Sequence, residues 1–152
     1  MLKGIHPLLS ADLLHVLARM GHGDDIAIVD ANHPAEAVAS ATTSGVLIRC
    51  PGVAVDAMLA AVLTVLPVDS FTDDPIRFMQ VVGDAATVPE AVADMRRQAV
   101  RAGFEDAFAT LERFAFYDAA KRAFAVVQCG DARFYGNVLV RKGAIEGGRP
   151  AG

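Results

Sequence analysis

Apolar residues recur at helical spacing at Leu13, Leu14, Leu17 and Met20. Ser10 is a good N-cap ahead of them, and Asp12 complements the dipole of the first turn. Gly21 stands where a left-handed C′ glycine would stop that helix. The period then changes. Ile26-Ala27-Ile28-Val29 is short, apolar and mostly β-branched, which predicts a buried strand ending at Asp30. Pro34 opens a short predicted helix through Val38, and Val46-Leu47-Ile48 reads as a strand. Val53 to Leu66 is apolar nearly all round and carries several alanines, as a buried helix would. Arg77 to Val82 predicts another strand. Pro89 suits the first turn of a helix running to about Ala102, with Glu90, Asp94, Arg96, Arg97 and Arg101 on a solvated face.

Phe104 to Glu112 fits helix and strand equally. Phe114 to Lys121 favours a helix, Ala123 to Val127 a strand, Gly130-Asp131 a turn, and Val138 to Val140 a last strand. Residues 146–152, rich in Gly and Pro, read as a flexible tail behind one domain over residues 1–145. No internal repeat, low-complexity block or linker divides the chain. The pattern is that of a single α/β domain.

Composition narrows the classes. Of 152 residues, 53% are hydrophobic, ample for a core and enough that a domain this small is expected to hide some surface by oligomerisation. The formal charge of -4, with basic residues scattered apart from Arg96-Arg97 and Arg141-Lys142, argues against nucleic acid. Cys50 and Cys129 belong to no C-x-x-C pair, so a zinc ribbon or thioredoxin-like motif is excluded, while a single bridge between them stays arithmetically open. Residues 1–7 lack the apolar core of a signal peptide. The stretch from Val53 to Pro67, broken by Asp56 and Thr64, is too short to span a bilayer. A cytoplasmic protein with reduced thiols, and no membrane partner, is the expectation.

Three polar clusters sit where α/β folds tend to place functional groups: Gly21-His22-Gly23-Asp24-Asp25, Asp30-Ala31-Asn32-His33 and Tyr135-Gly136-Asn137. Each also has a purely structural account. The first is a helix stop, Asp30 an N-cap, and the third a turn. Tyr117 fits a core or interface position, and Arg113 fits a surface pair with Glu112 or Asp118. His22, Asp24, Asp30 and His33 lie close together in sequence, but their spacing matches no zinc motif. There is no G-x-S-x-G elbow and no G-x-G-x-x-G after a strand. Neither a metal nor another cofactor is expected.

Taken together and in order, these segments resemble the RbsD/FucU family, whose members interconvert sugar anomers or ring forms. The resemblance runs through Met1 to Ile5, Pro7 to Ser10, Leu13-Leu14, Met20 to Asp24, Asp30-Ala31 and Pro34-Ala35. It resumes at Arg113-Phe114-Ala115-Phe116-Tyr117, Ala123 to Val127 and Tyr135 to Leu139. The Gly-His-Gly-Asp and Arg-Phe-Ala-Phe-Tyr segments look like the fucose mutarotase branch. The resemblance implies a three-layer α/β/α domain with a central mixed sheet, and a ring-like homo-oligomer, often a decamer, with sites near subunit interfaces. It implies that His22 transfers protons and that Asp30, Arg113, Tyr135, Gly136 and Asn137, with Tyr117, contact a monosaccharide such as L-fucose. A ribose pyranase and a non-catalytic sugar-binding subunit of a transport system are the alternative readings. Asn32-His33-Pro34 departs from the family's commoner His-Phe-Pro, which removes an expected aromatic wall and bears on sugar preference.

Histidine suits this chemistry, because an ordinary pKa of about 6.5 lets it give and take protons near neutrality. A carboxylate accepts hydrogen bonds from adjacent hydroxyls, while Arg113 and Asn137 donate them. The Tyr135 ring suits an apolar sugar face, and Gly136 lets a ligand approach the backbone.

Overall fold

The computed structural model describes residues 1–148. Helix α1 (Ala11–Arg19) begins as its sequence predicts, the Ser10 side chain accepting from the Leu13 N–H. Gly21 follows it at the C′ position, as expected, but not in a left-handed conformation. The chain leaves α1 through Met20 in an extended conformation, and the first left-handed residue is Gly23, at φ +89°. The reason is a competing cap: the Lys142 ammonium donates to the carbonyls of Leu17 and Met20, at 2.8 and 2.6 Å. Those carbonyls therefore need no Schellman turn.

The chain continues through β1 (Asp25–Val29), α2 (Ala35–Ala41), β2 (Leu47–Cys50), α3 (Val55–Leu63), β3 (Ile76–Met79) and α4 (Glu90–Arg101). It ends with β4 (Phe108–Leu111), α5 (Arg113–Lys121), β5 (Ala125–Cys129) and β6 (Val138–Arg141). β3 stops three residues short of the predicted Val82, because Val81 folds back to bridge Asp84 around Gly83, at φ +74°. The ambiguous segment resolves as β4 because it finds a parallel partner in β3, a non-local pairing that local pattern does not contain. Of the expected tail, Glu146–Gly148 forms a 3-10 turn, and residues 149–152 lie outside the described residues.

The strands form one mixed sheet in the order β2-β5-β1-β6-β3-β4, with β6 antiparallel to both its neighbours and every other pair parallel. Alternation along β1 divides the interior. Ile26 and Ile28 face a core shared with α1, α3 and α4, while Ala27 and Val29 face a second core with α2 and α5. This is the expected three-layer domain. In the second core Ala35, Ala39, Ala119 and Ala120 are small, so α2 and α5 lie close together on the sheet. No helix among the described residues is long and apolar enough to cross a membrane.

The reversed direction of β6 positions the site. Val138, its first residue, lies opposite Ile28 near the end of β1 and Phe78 near the end of β3. The carboxyl ends of β1, β3 and β4 and the entry to β6 therefore share one edge of the sheet. At the opposite edge Asp25 pairs with Arg77 at 2.6 Å and with Arg141 at 3.2 Å.

The β5–β6 connection is clipped to the helices beneath it. Asp131 accepts from the Val55 N–H at the start of α3 and takes a two-pronged pair from Arg133, at 3.0 and 2.8 Å. The guanidinium also reaches Asp56 on α3 and Asp94 on α4. The hydrogen bonds from Arg133 pull Asp131 down to about 2. Cys50 and Cys129, distant in sequence, are register partners on β2 and β5, and both are free thiols.

Gly130 marks the tightest approach in this region: its N–H donates to the carbonyls of Cys50 and Val53, and an added Cβ would stand 1.6 Å from the Pro51 carbonyl oxygen. Backbone cannot step aside there. Gly130→Ala is expected to lose at least about 2 kcal/mol of stability, read as a lowered urea midpoint at unchanged m-value.

Candidate functional site

Asp30 is the first residue beyond β1, and it is 3% exposed. One carboxylate oxygen accepts from the Asn32 N–H at 2.9 Å; the other accepts from the Gly136 N–H at 3.0 Å and the Asn137 side-chain amide at 3.3 Å. Asn137 answers by accepting from the Asp30 N–H at 3.2 Å. The carboxylate thus ties the end of β1 to the turn that feeds β6. Burial raises its pKa above the ordinary value, and the backbone N–H groups of Asn32 and Gly136 oppose that rise. Asp30 caps the turn that follows it, accepting from the Asn32 N–H, while the N-cap of α2 is Pro34. Gly136 sits in a tight space: an added Cβ would lie 3.2 Å from both the Asp30 Cβ and a Val55 methyl.

Beside this floor opens a cavity of about 370 Å³, lined by Asp30, Asn32, His33, Met79, Val82, Arg113, Tyr117, Phe134, Tyr135 and Asn137. That lies at the small end of ligand pockets, which span roughly 300–1,000 Å³. Five of the residues expected from sequence, Asp30, Arg113, Tyr117, Tyr135 and Asn137, line it together, and Gly136 braces Asp30 behind it. Arg113 makes no pair with Glu112 or Asp118. Its Nε donates to the Tyr117 hydroxyl at 3.2 Å, and the guanidinium lies 5.5 Å from the ring centres of both Phe114 and Tyr117. Glu112 is occupied otherwise, capping α5 by accepting from the Phe114 and Ala115 N–H groups.

Tyr135 is the one described non-glycine residue with a left-handed backbone, at φ +63°, a conformation that costs an ordinary residue energy. Its hydroxyl accepts from the Val82 N–H at 3.2 Å and so holds the β3–α4 loop against the cavity. Aromatic walls are therefore present after all, in Tyr117, Phe134 and Tyr135.

His33 also belongs to the cavity. It is 6% exposed, edge-on to Tyr117 at 5.2 Å and to Phe116 at 6.0 Å, and neither ring nitrogen has a hydrogen-bond partner. Burial lowers its pKa to about 4, opposed in part by the nearby Asn137 side chain, so the ring is uncharged near neutrality.

His22 lies elsewhere. It precedes β1, whereas Asp30 follows it, and the strand's length at about 3.3 Å per residue keeps them on the order of 15–20 Å apart. The Gly21–Asp25 cluster therefore sits between α1 and β1, at the amino end of the strand. The four residues that looked like metal ligands, His22, Asp24, Asp30 and His33, are split between the two edges for the same reason. His22 Nε2 is 3.0 Å from a carboxylate oxygen of Asp69, with the histidine side chain 45% exposed and the aspartate side chain 4%. The Phe71 N–H, ahead of His22 itself, holds the Asp69 carboxyl below its usual value, and Phe71 packs 5.4 Å from the imidazole. An exposed imidazole oriented by a buried carboxylate can exchange protons with something that docks onto it. Local sequence gave no sign of Asp69, which lies 47 residues from His22, nor of Met79, Val82 and Phe134, whose contribution arises only where chain ends converge.

The model of the RbsD / FucU transport protein family matches residues 3–145. The fucose mutarotase of Homo sapiens is 40% identical over 147 residues, which cover 95% of this chain and 94% of that protein. A crystal structure of a putative sugar binding protein superposes with a TM-score of 0.91 at 38% identity, covering 95% of this chain and 97% of the other. The fucose mutarotase of Streptococcus pneumoniae, solved in complex with L-fucose, gives a TM-score of 0.85 at 36% identity, covering 95% and 99%.

The burial of His33 has a consequence for stability. The folded protein protonates this ring at about pH 4, whereas an unfolded histidine takes up its proton near 6.5. Its contribution is whole above pH 6.5 and is lost as the pH falls, reaching about 3 kcal/mol at pH 4. Urea denaturation of His33→Phe between pH 7 and 4 is expected to lack this component of the slope.

Proposed function

The chain belongs to the RbsD / FucU family, and from that premise we propose that it is a sugar mutarotase interconverting the α and β anomers of L-fucose or a related monosaccharide. One observation carries the reading: a monosaccharide-sized cavity in which a buried carboxylate, an amide and a guanidinium face three aromatic side chains. Polyols are held by such a division, with hydroxyls on the polar groups and the apolar ring face on an aromatic one.

The reaction asks for little else. A base takes the proton of the anomeric hydroxyl; the C–O bond to the ring oxygen breaks as the aldehyde forms; the ring oxygen takes up a proton. Rotation about the adjacent C–C bond and closure on the other carbonyl face complete the exchange. The sequence is redox-neutral and needs no covalent intermediate. In this reading Asp30, Asn137, Arg113, Tyr117 and Tyr135 hold the sugar, and His22, oriented by Asp69, moves the proton.

Because His22 and the cavity occupy opposite edges of one sheet, proton transfer by His22 requires a second copy to present it. The reading therefore includes a head-to-tail, ring-closing homo-oligomer with each site shared between neighbours. Phe71 beside His22, and Phe114 and Phe134 at the other edge, are large and exposed, as surfaces of this kind would be. The same separation favours a second reading, in which the chain binds sugar without catalysis.

Two experiments divide these readings. Saturation-transfer NMR on equilibrated L-fucose is expected to give faster anomer exchange with the protein. His22→Ala should cut that rate by roughly 10²–10⁴-fold while sugar affinity changes little; exchange at the solvent rate with the wild-type protein for L-fucose and for its hydroxylated counterpart L-galactose alike sinks the enzyme reading. Mixing inactive His22→Ala with inactive Asp30→Asn subunits should restore about a quarter of wild-type activity if sites are shared at random. No recovery after demonstrated subunit exchange rules out sharing.

A further inference from the structure

Most hydrogen-bonding groups of the cavity are already engaged. The Asp30 carboxylate is braced by Asn32, Gly136 and Asn137; the Asn137 amide is shared between Asp30 and the Met79 sulfur; the Tyr135 hydroxyl accepts from Val82; and Arg113 Nε donates to Tyr117. Among the buried groups His33 is the exception. Its backbone is fixed on both sides, the N–H donating to the Asp30 carbonyl and the carbonyl accepting from the Gln128 amide. Its ring is held edge-on by Phe116 and Tyr117. Yet among the described residues neither ring nitrogen meets a partner in hydrogen-bonding geometry, the nearby Asn137 amide being engaged with Asp30 and Met79, and both are out of contact with solvent.

Buried polar groups left unpaired are uncommon, and those that line a cavity call for a ligand atom. An uncharged imidazole offers one N–H donor and one lone pair, and a hydroxyl is the group that can answer either. A half-turn about the Cβ–Cγ bond exchanges Nδ1 with Cδ2 and Nε2 with Cε1, so the ring can place nitrogen where carbon now stands. A phenyl ring of the same shape offers neither function.

We propose that His33 is a specificity-determining residue of this cavity, its imidazole hydrogen-bonding one hydroxyl of the bound sugar and so selecting a sugar that carries that hydroxyl over the deoxy or methyl-terminated counterpart. The proposal rests on the sugar-binding part of the functional reading above and is independent of whether exchange is catalysed. The substrate class it assigns is a monosaccharide with a hydroxyl at the position that faces His33. L-Galactose and L-fucose, which differ by a single hydroxyl, form the most direct pair. Burial acts in the same direction, since a ring that stays neutral keeps its acceptor lone pair at physiological pH.

The test measures affinity, by titration calorimetry, of the full-length protein for L-galactose, L-fucose and the other mono-deoxy forms of L-galactose. In the wild-type protein, loss of the hydroxyl facing His33 is expected to weaken binding roughly ten- to a hundred-fold. In His33→Phe that penalty should collapse to about twofold while the penalties for the other hydroxyls persist. If His33→Phe leaves every penalty unchanged, or if no sugar of the panel binds, the proposal is overturned. Wild-type protein labelled with ¹⁵N in its histidines gives the same answer without a substitution. Saturating L-galactose should shift the His33 ring nitrogens, the deoxy form lacking the key hydroxyl should not, and identical spectra with all sugars would also overturn it. Binding with these signatures but no acceleration of anomer exchange leaves the assignment of His33 standing and removes only the mutarotase reading.

Discussion

The Asp30 carboxylate is buried with no cation among the described residues within ion-pair distance, so backbone and amide hydrogens must satisfy it, and that requirement organises the carboxyl edge of the sheet. A lysine or arginine beside it would neutralise the charge and leave the turn before β6 free to move. Instead the Gly136 N–H and the Asn137 amide are drawn onto it, which brings the chain close enough that a side chain at 136 would crowd Asp30 and Val55. The neighbouring Tyr135 takes up the left-handed backbone that this arrival demands. Burial that raises the carboxyl pKa, opposed by donors that lower it, leaves Asp30 a polarised acceptor at the base of a cavity.

Strand direction does the rest. Had β6 run parallel to β1, its first residues would lie at the amino edge, and Asn137 would be a strand length from Asp30. The antiparallel insertion brings Met79, Asn137 and Asp30 side by side, and the parallel pairing of β3 with β4 delivers Arg113 and Tyr117 at the start of α5. The Asp131–Arg133 cluster then fixes this connection to α3 and α4, so the cavity is built on packed elements although its residues come from loops.

The two edges divide the chemistry between them. One holds donors, acceptors and aromatic walls suited to a polyol. The other holds an exposed imidazole on a buried carboxylate, His22 on Asp69, beside an exposed Phe71. Neither edge is a complete acid–base site within one chain. A closed ring of copies is the economical way to join opposite edges of identical sheets, because each copy then gives one edge and receives the other.

Secondary structure was largely written in local chemistry. The cap at Ser10, the β-branched run ending at Asp30 and the proline ahead of α4 are signals that neighbouring residues satisfy by themselves. The site was legible only in part: the polar residues Asp30, Arg113, Tyr135 and Asn137 stand out in sequence, but their convergence depends on which strands pair and in which direction. The helix stops just before Gly21, as expected, but the group that caps its last carbonyls, Lys142, comes from the far end of the chain and left no local signal. Asp69 and the unpaired nitrogens of His33 were invisible for the same reason, since a hydrogen bond made or missing across the fold leaves no trace in a local pattern. Sequence by itself determined the elements, the α/β class and the family resemblance, because propensity, capping and hydrophobic period act over a few residues. Only the tertiary structure decided that His22 and the Asp30 cavity lie on opposite edges, because a strand held straight by its neighbours keeps the residues at its two ends apart, however close they are in sequence.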